Sequence, residues 1–257
     1  MSNTHQIGMV LAGHGSRNAT AILEFRELAV TLEVFQKGIV EYGFLEFERP
    51  GIEEAIDRSI MRGAETVVVL PVMLTAAHHV KRDIPNIIHH AQQKHPLIPI
   101  HYGRHLDLHP NITALYQNRI QQAVSEMGLH LSETLLIVVG RGTSDATANQ
   151  DVIQIARLLR ETCHFGEARY CYTSIATPLF RDALTQSLSQ SYRSVLILPC
   201  LLFRGVLLDK IGEIARAFQA ENPNQIIHLA RSLGHDPLVA DALLDRFNET
   251  MRFKEST

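Results

Sequence analysis

Ile7-Gly8-Met9-Val10-Leu11-Ala12-Gly13-His14-Gly15 near the start of the chain and Thr134-Leu135-Leu136-Ile137-Val138-Val139-Gly140-Arg141-Gly142 near its middle are two versions of one phrase. Each is a short apolar run ending at glycine, which suits a strand buried on both faces and feeding a tight turn. Helical patterns follow both, around Ala21 to Phe35 and around Ala148 to Glu161. A second strand is expected near Lys37 to Phe47 and near Ala168 to Ile175, then a helix after Pro50 and after Pro178. Thr66-Val67-Val68-Val69-Leu70-Pro71 and Ser194-Val195-Leu196-Ile197-Leu198-Pro199 read as strong strands, each closed by a proline that cannot donate to a ladder. A further helix and a fourth strand, marked by His101 and His228, complete each half.

The correspondence runs along the whole chain. At an offset of 127 (140 − 13), Gly13 meets Gly140, Gly15 meets Gly142, His101 meets His228, Arg104 meets Arg231, Leu106 meets Leu233, Pro110 meets Pro237 and Arg119 meets Arg246. At 128 (170 − 42), Tyr42 meets Tyr170, Pro50 meets Pro178, Ala55 meets Ala183, Leu70 meets Leu198, Pro71 meets Pro199 and Leu74 meets Leu202. The one-residue drift is what a small loop insertion produces, and half of 257 residues is 128.5. The expected fold is therefore α/β: two similar lobes, 1–127 and 128–257, related by internal duplication, each a parallel sheet flanked by helices. The linker is expected near Met127 to Glu133. In such sheets ligands collect beyond the carboxyl ends of the strands, and clefts between lobes add to that expectation.

A duplication carries its own control: residues kept in both halves serve the fold, and residues present in one are free to serve a site. Gly13-His14-Gly15-Ser16-Arg17 becomes Gly140-Arg141-Gly142-Thr143-Ser144. The flanking glycines permit the turn, His14 is expected to project from it, and the following helix is expected to offer unpaired backbone N–H groups to an anion. Glu46 is answered by Ser174, and His79 by Leu207. His14, Glu46 and His79 are thus expected together at strand ends of one lobe, two imidazoles and a carboxylate suited to a divalent first-row metal. Taken singly, His14 reads equally as a turn histidine, and Glu46 as a solvated carboxylate or a partner of Arg49. If the segment is extended, only one of His78 and His79 can face such a metal.

Composition narrows the partners. A formal net charge of -3 leaves no basic footprint for nucleic acid and no polybasic stretch for a membrane surface. The apolar runs fall short of the roughly 18 residues of a membrane span, and the N-terminus lacks a secretory pattern. Cys163, Cys171 and Cys200 form no CxxC pair, so they read as small buried residues in a reducing, cytoplasmic compartment. There is no P-loop, and Gly13-His14-Gly15 lacks the third glycine of a dinucleotide fingerprint, so no nucleotide is expected. His89, His90, His95, His105 and His109 read as surface residues away from the strand-end cluster.

Val10-Leu11-Ala12-Gly13-His14-Gly15-Ser16-Arg17, Phe44-Leu45-Glu46 with Pro50, and above all Pro71 through Thr75-Ala76-Ala77-His78-His79-Val80-Lys81-Arg82-Asp83-Ile84-Pro85 resemble the sirohydrochlorin chelatase family, the class II tetrapyrrole chelatases. Gly140-Arg141-Gly142 and Leu201 to Leu207 resemble the degenerate half of its long, fused members. The resemblance implies a lyase-type chelatase that inserts a divalent metal, Co2+ foremost or else Fe2+ or Ni2+, into sirohydrochlorin, in cobalamin or siroheme biosynthesis. It assigns His14 and His79 to the metal and to proton removal, selects His79 over His78, and makes Glu46 a third ligand or proton acceptor. It departs at Ala77-His78, where the family often carries small residues, so His78 could crowd the pocket or add a ligand.

Sirohydrochlorin is a polycarboxylate, so its cradle is expected to be cationic. Arg17, Lys81, Arg141 and Arg204 are the candidates, together with Ser16 of the first turn, and each cation alone also reads as a solvated charge. The second lobe is expected to hold substrate. With both walls on one polypeptide, a monomer is expected, with a homodimer left open. The alternative from another class is a metallochaperone or tetrapyrrole carrier that uses the same histidines without turnover. A metal hydrolase is disfavoured by the lack of GxSxG and HExxH.

Overall fold

The computed structural model describes residues 6–36, 38–75, 79–189 and 192–255. The elements follow in chain order as β1 (Ile7–Gly13), α1 (Ala19–Gln36), β2 (Ile39–Phe44), α2 (Ile52–Met61), β3 (Thr66–Pro71), a π-helical turn (His79–Asp83) running into α3 (Ile84–Lys94), β4 (Ile100–Tyr102) and α4 (Pro110–Met127). The series then repeats as β5 (Thr134–Gly140), α5 (Ala146–Cys163), β6 (Glu167–Tyr172), α6 (Phe180–Ser187), β7 (Ser194–Pro199), α7 (Val206–Glu221), β8 (Ile226–Leu229) and α8 (Pro237–Glu255).

Two four-stranded sheets result, ordered β2-β1-β3-β4 and β6-β5-β7-β8, and every pairing is parallel. The central strands are the sequence's apolar runs. Met9 to Ala12, Val67 to Leu70, Leu135 to Val139 and Val195 to Leu198 are fully buried. Each such Val, Leu or Ile contributes about 1.5–3 kcal/mol of burial, which is why β-branched runs occupy the middle of both sheets. The chain moves from β1 to one neighbour, β2, and then crosses back to β3 on the other side, so strand order reverses between β1 and β3. That reversal opens a crevice beyond their carboxyl ends, and β5 and β7 repeat it.

The repeats are not the packing units. The lobes expected at 1–127 and 128–257 each give up their last helix: one compact unit is Met1–Asn111 with His235–Thr257, and the other is Ile112–Gly234. One arginine fastens the helix in each. In the first unit Arg246 of α8, nearly buried, donates from Nε to the His105 carbonyl at 3.0 Å and from Nη2 to the Leu106 carbonyl at 3.1 Å. In the second, Arg119 of α4 donates to the Ser232 and Leu233 carbonyls at 3.0 and 2.7 Å. These are charge-assisted bonds to carbonyls in the loops after β4 and β8. Among the described residues, no helix is long and apolar enough to cross a membrane.

Candidate active site

The site grows from the turn after β1. The parallel register continues past the strand ends, because Leu45 N–H donates to the Gly13 carbonyl at 2.9 Å and Glu46 N–H to the His14 carbonyl at 3.1 Å. His14 and Glu46 are therefore placed side by side by backbone bonds. Steric limits make the residues around His14 glycine. A Cβ on Gly13 would come within 2.7 Å of the Phe25 ring. Gly15 has φ +94°, and a Cβ there would lie 1.8 Å from the Glu46 carbonyl oxygen. Only His14 can carry a side chain, and its Nε2 faces Glu46 Oε1 at 3.3 Å. The imidazole is about one-fifth exposed and the carboxylate about two-fifths, so both reach solvent while held in place. The pair is thus His14 with Glu46 rather than Glu46 with Arg49.

The second unit builds the same turn without the chemistry. Thr173 and Ser174 donate N–H bonds to the Gly140 and Arg141 carbonyls at 3.0 and 3.2 Å. Gly142 has φ +83°, with the Ser174 carbonyl 1.9 Å from where its Cβ would stand. Arg141 replaces His14 as an exposed side chain, and Ser174 replaces Glu46.

One expectation for this turn fails. The first N–H groups of α1 are not left for an anion: Asn18 Oδ1 accepts from Thr20 and Ala21 N–H at 2.9 and 3.2 Å, and Ser16 Oγ accepts from Asn18 N–H at 3.1 Å. Asp145 caps α5 in the same manner through Thr147 and Ala148. A side-chain cap satisfies the donors that an anion would otherwise take.

The third position is not a strand end. His79 lies eight residues beyond Pro71 and opens the π-helical turn. Tyr102 of β4 donates its hydroxyl to the Val80 carbonyl at 2.8 Å and anchors that turn. The five π-helical residues and the eleven of α3 together match the 16 of α7, so one helix starts with a widened turn only in the half that carries His14 and His79. Such turns recur at functional sites because the extra residue re-aims side chains. The side chain of His79, and Ala76, Ala77 and His78 entirely, lie outside the described residues, as does Lys37. Lys81 is exposed on the π-helical turn instead of at a strand end, Arg204 is exposed on the loop after β7, and Arg17 is exposed just after the His14 turn.

Phe47 was not singled out in the sequence. It follows Glu46 in the left-handed region at φ 69° and is 51% exposed. Its ring lies nearly parallel to the His14 imidazole, 16° between planes with centroids 6.2 Å apart, and the Arg17 guanidinium carbon sits 4.9 Å from the ring centroid. Its counterpart Ile175 repeats the conformation at φ 65° and is also exposed. An apolar residue directly after Glu46, and again after its counterpart Ser174, was the available signal.

His109 is buried, against the surface position expected for it: Nδ1 accepts from Asn111 N–H at 3.2 Å, and Nε2 faces Asp245 of α8 at 3.5 Å. Burial pushes its pKa down, as it does for His105.

Comparison with known proteins agrees with this duplicated geometry. The CbiX family model matches the chain twice, over residues 8–123 and 135–250. The chain belongs to the CbiX family. Among curated relatives, a sirohydrochlorin cobaltochelatase of Priestia megaterium is 32% identical over 251 residues, covering 97% of this chain and 81% of the relative. A sirohydrochlorin ferrochelatase of Bacillus subtilis (strain 168) is 29% identical over 248 residues, covering 94% and 91%. Among solved structures, SirB from Bacillus subtilis with Fe3+ superposes with a TM-score of 0.87 at 27% identity, covering 98% of each chain. This CbiX-family chain therefore shares the two-sheet chelatase architecture over its whole length.

Proposed function

We propose that the chain is a sirohydrochlorin chelatase that inserts Co2+, or Fe2+ in its place, into the tetrapyrrole and releases two protons. The observation that carries this reading is the His14 Nε2 to Glu46 Oε1 approach of 3.3 Å beyond the strand-order reversal, present in one half and replaced by Arg141 and Ser174 in the other. Membership of the CbiX family and relatives named as cobalto- and ferrochelatases support it.

In the reaction two pyrrole N–H bonds break, four nitrogens take the metal, and the divalent charge replaces the two protons that leave. The metal is a substrate, held first by the protein and then surrendered. His14, Glu46 and His79 hold it as nitrogen and oxygen ligands that exchange readily. A neutral imidazole beside a carboxylate also accepts a proton at neutral pH and passes it to solvent, which the partial exposure of both groups allows. Arg17, Lys81, Arg141 and Arg204, with Ser16, are assigned to the substrate's carboxylates. The chain is assigned to the cytoplasm and to action as a monomer, with a homodimer as the alternative; sedimentation tests the oligomeric state.

The deciding experiment follows the absorbance of sirohydrochlorin with Co2+, Fe2+ and Ni2+ at matched free-metal levels. A chelatase gives many turnovers per chain and ranks the metals. A spectral change that stops at one equivalent of protein identifies a carrier and refutes the proposal.

A further inference from the structure

Phe47 sits directly beside the His14 and Glu46 pair and is half exposed. Its backbone adopts the left-handed region, which costs a residue with a Cβ about 1–2 kcal/mol, and the reward is not burial, since half the side chain stays in water. Ile175 holds the same conformation, so the fold itself fixes an outward-facing side chain after the second strand of each half. What differs is chemistry. The half with His14 and Glu46 carries a flat aromatic ring there, set nearly parallel to the imidazole and bearing the Arg17 guanidinium.

We infer that Phe47 is a recognition contact for the flat face of the tetrapyrrole, with Arg17 carried on its ring to meet a carboxylate of the rim; this rests on the chelatase reading above. A conjugated macrocycle with acidic arms presents an extended π-surface bordered by negative charge. Phe47 with Arg17 presents the complement, an exposed ring beside a cation, next to the atoms assigned to the metal. The backbone pre-sets the ring's direction, so little side-chain freedom is lost on binding. Phe47 thereby selects and orients the substrate without touching the metal.

The test separates substrate binding from metal binding. Metal-free sirohydrochlorin is titrated into the parent, Phe47→Ala, Phe47→Leu and Phe47→Tyr by absorbance, and Co2+ alone is titrated into the same proteins. Loss of an aromatic contact is expected to weaken sirohydrochlorin binding about tenfold in Phe47→Ala, to weaken it less in Phe47→Leu, and to leave Phe47→Tyr within about twofold of the parent. Co2+ affinity is expected to stay within about twofold throughout, and the loss in turnover to lie in KM rather than kcat. Unchanged sirohydrochlorin affinity in Phe47→Ala, or in Phe47→Leu should the alanine variant not fold, overturns the contact even if the parent turns over normally. Weakened Co2+ binding with intact sirohydrochlorin binding also overturns it, because the ring would then act on His14. A parent that binds sirohydrochlorin without turnover sinks the chelatase reading while the same titrations still decide the contact.

Discussion

Replacing Gly15 by alanine tests how the site is built. The added Cβ would stand 1.8 Å from the Glu46 carbonyl oxygen, far inside contact distance, on a residue at φ +94°. The backbone must open, and the bond from Glu46 N–H to the His14 carbonyl at 3.1 Å is the first to be lost. The left-handed conformation costs about 1–2 kcal/mol and a broken backbone bond about 1 more, so roughly 2–3 kcal/mol of destabilisation is expected. For a chain of this size that is a fall in Tm on the order of 4–12 °C. Gly142→Ala is the internal control: its Cβ would meet the Ser174 carbonyl oxygen at 1.9 Å, at φ +83°, for a similar loss of stability. The two variants differ only in chemistry. With calorimetry for stability and the cobalt-insertion assay at a temperature where both remain folded, Gly15→Ala is expected to lose at least about tenfold in turnover, the effect of misplacing one catalytic group, while Gly142→Ala stays within about threefold. Equal turnover in two equally destabilised variants would refute the claim that this turn sets the His14 and Glu46 geometry.

Four further outcomes are expected. His14→Ala and His79→Ala each remove most insertion activity without a comparable loss of Tm, whereas Glu46→Gln slows insertion less; near-parental turnover in any of the three takes that residue out of the mechanism. Equilibrium dialysis with Co2+ gives one tight site per chain, and two equivalent tight sites would contradict the asymmetry between halves. Arg141→Ala raises KM for sirohydrochlorin more than it lowers kcat, and unchanged constants would leave Arg141 without a part in binding. Burial lowers the pKa of His105, His109 and His228 below the ordinary 6.5, so the unfolded chain binds more protons near that value, and stability is expected to fall as pH drops through it, by at most about 1.4 kcal/mol per pH unit for each histidine. Urea denaturation between neutral pH and mild acid checks the sign, and a midpoint rising with acidity would overturn it.

What could be read beforehand was whatever local chemistry imposes. Thr66–Pro71 and Ser194–Pro199 begin and end where expected, because a β-branched run stopped by proline leaves little choice. Helix α1 starts two residues before Ala21, and α5 two before Ala148, because the side chains of Asn18 and Asp145 cap them there. The Asn18 cap also takes the Thr20 and Ala21 N–H groups on which an anion site at the α1 terminus depends. His109 is buried by Asp245, a partner over a hundred residues away that no local pattern announces. The exchange of α4 and α8 was hidden for a different reason. With each repeat supplying an equivalent arginine, Arg119 or Arg246, and an equivalent pair of loop carbonyls, exchanged and unexchanged packings leave the same trace in the sequence.

The turn itself explains how one half could shed its chemistry at little cost. Gly15 and Gly142 are each pinned by a carbonyl oxygen, and Gly13 and Gly140 by a ring and a valine methyl, so these four positions answer to the fold. The residue between each pair contributes only backbone to the register: the carbonyls of His14 and Arg141 accept the strand-extending bonds whatever side chain they carry. Histidine and arginine therefore serve the backbone register equally and differ in chemistry, one able to bind a metal or accept a proton, the other a fixed cation that repels a divalent ion and attracts a carboxylate. With the same backbone in both turns, the side chain alone decides whether a half could hold a metal, as His14 beside Glu46 could, or a carboxylate, as Arg141 could, and the four glycines leave that choice open.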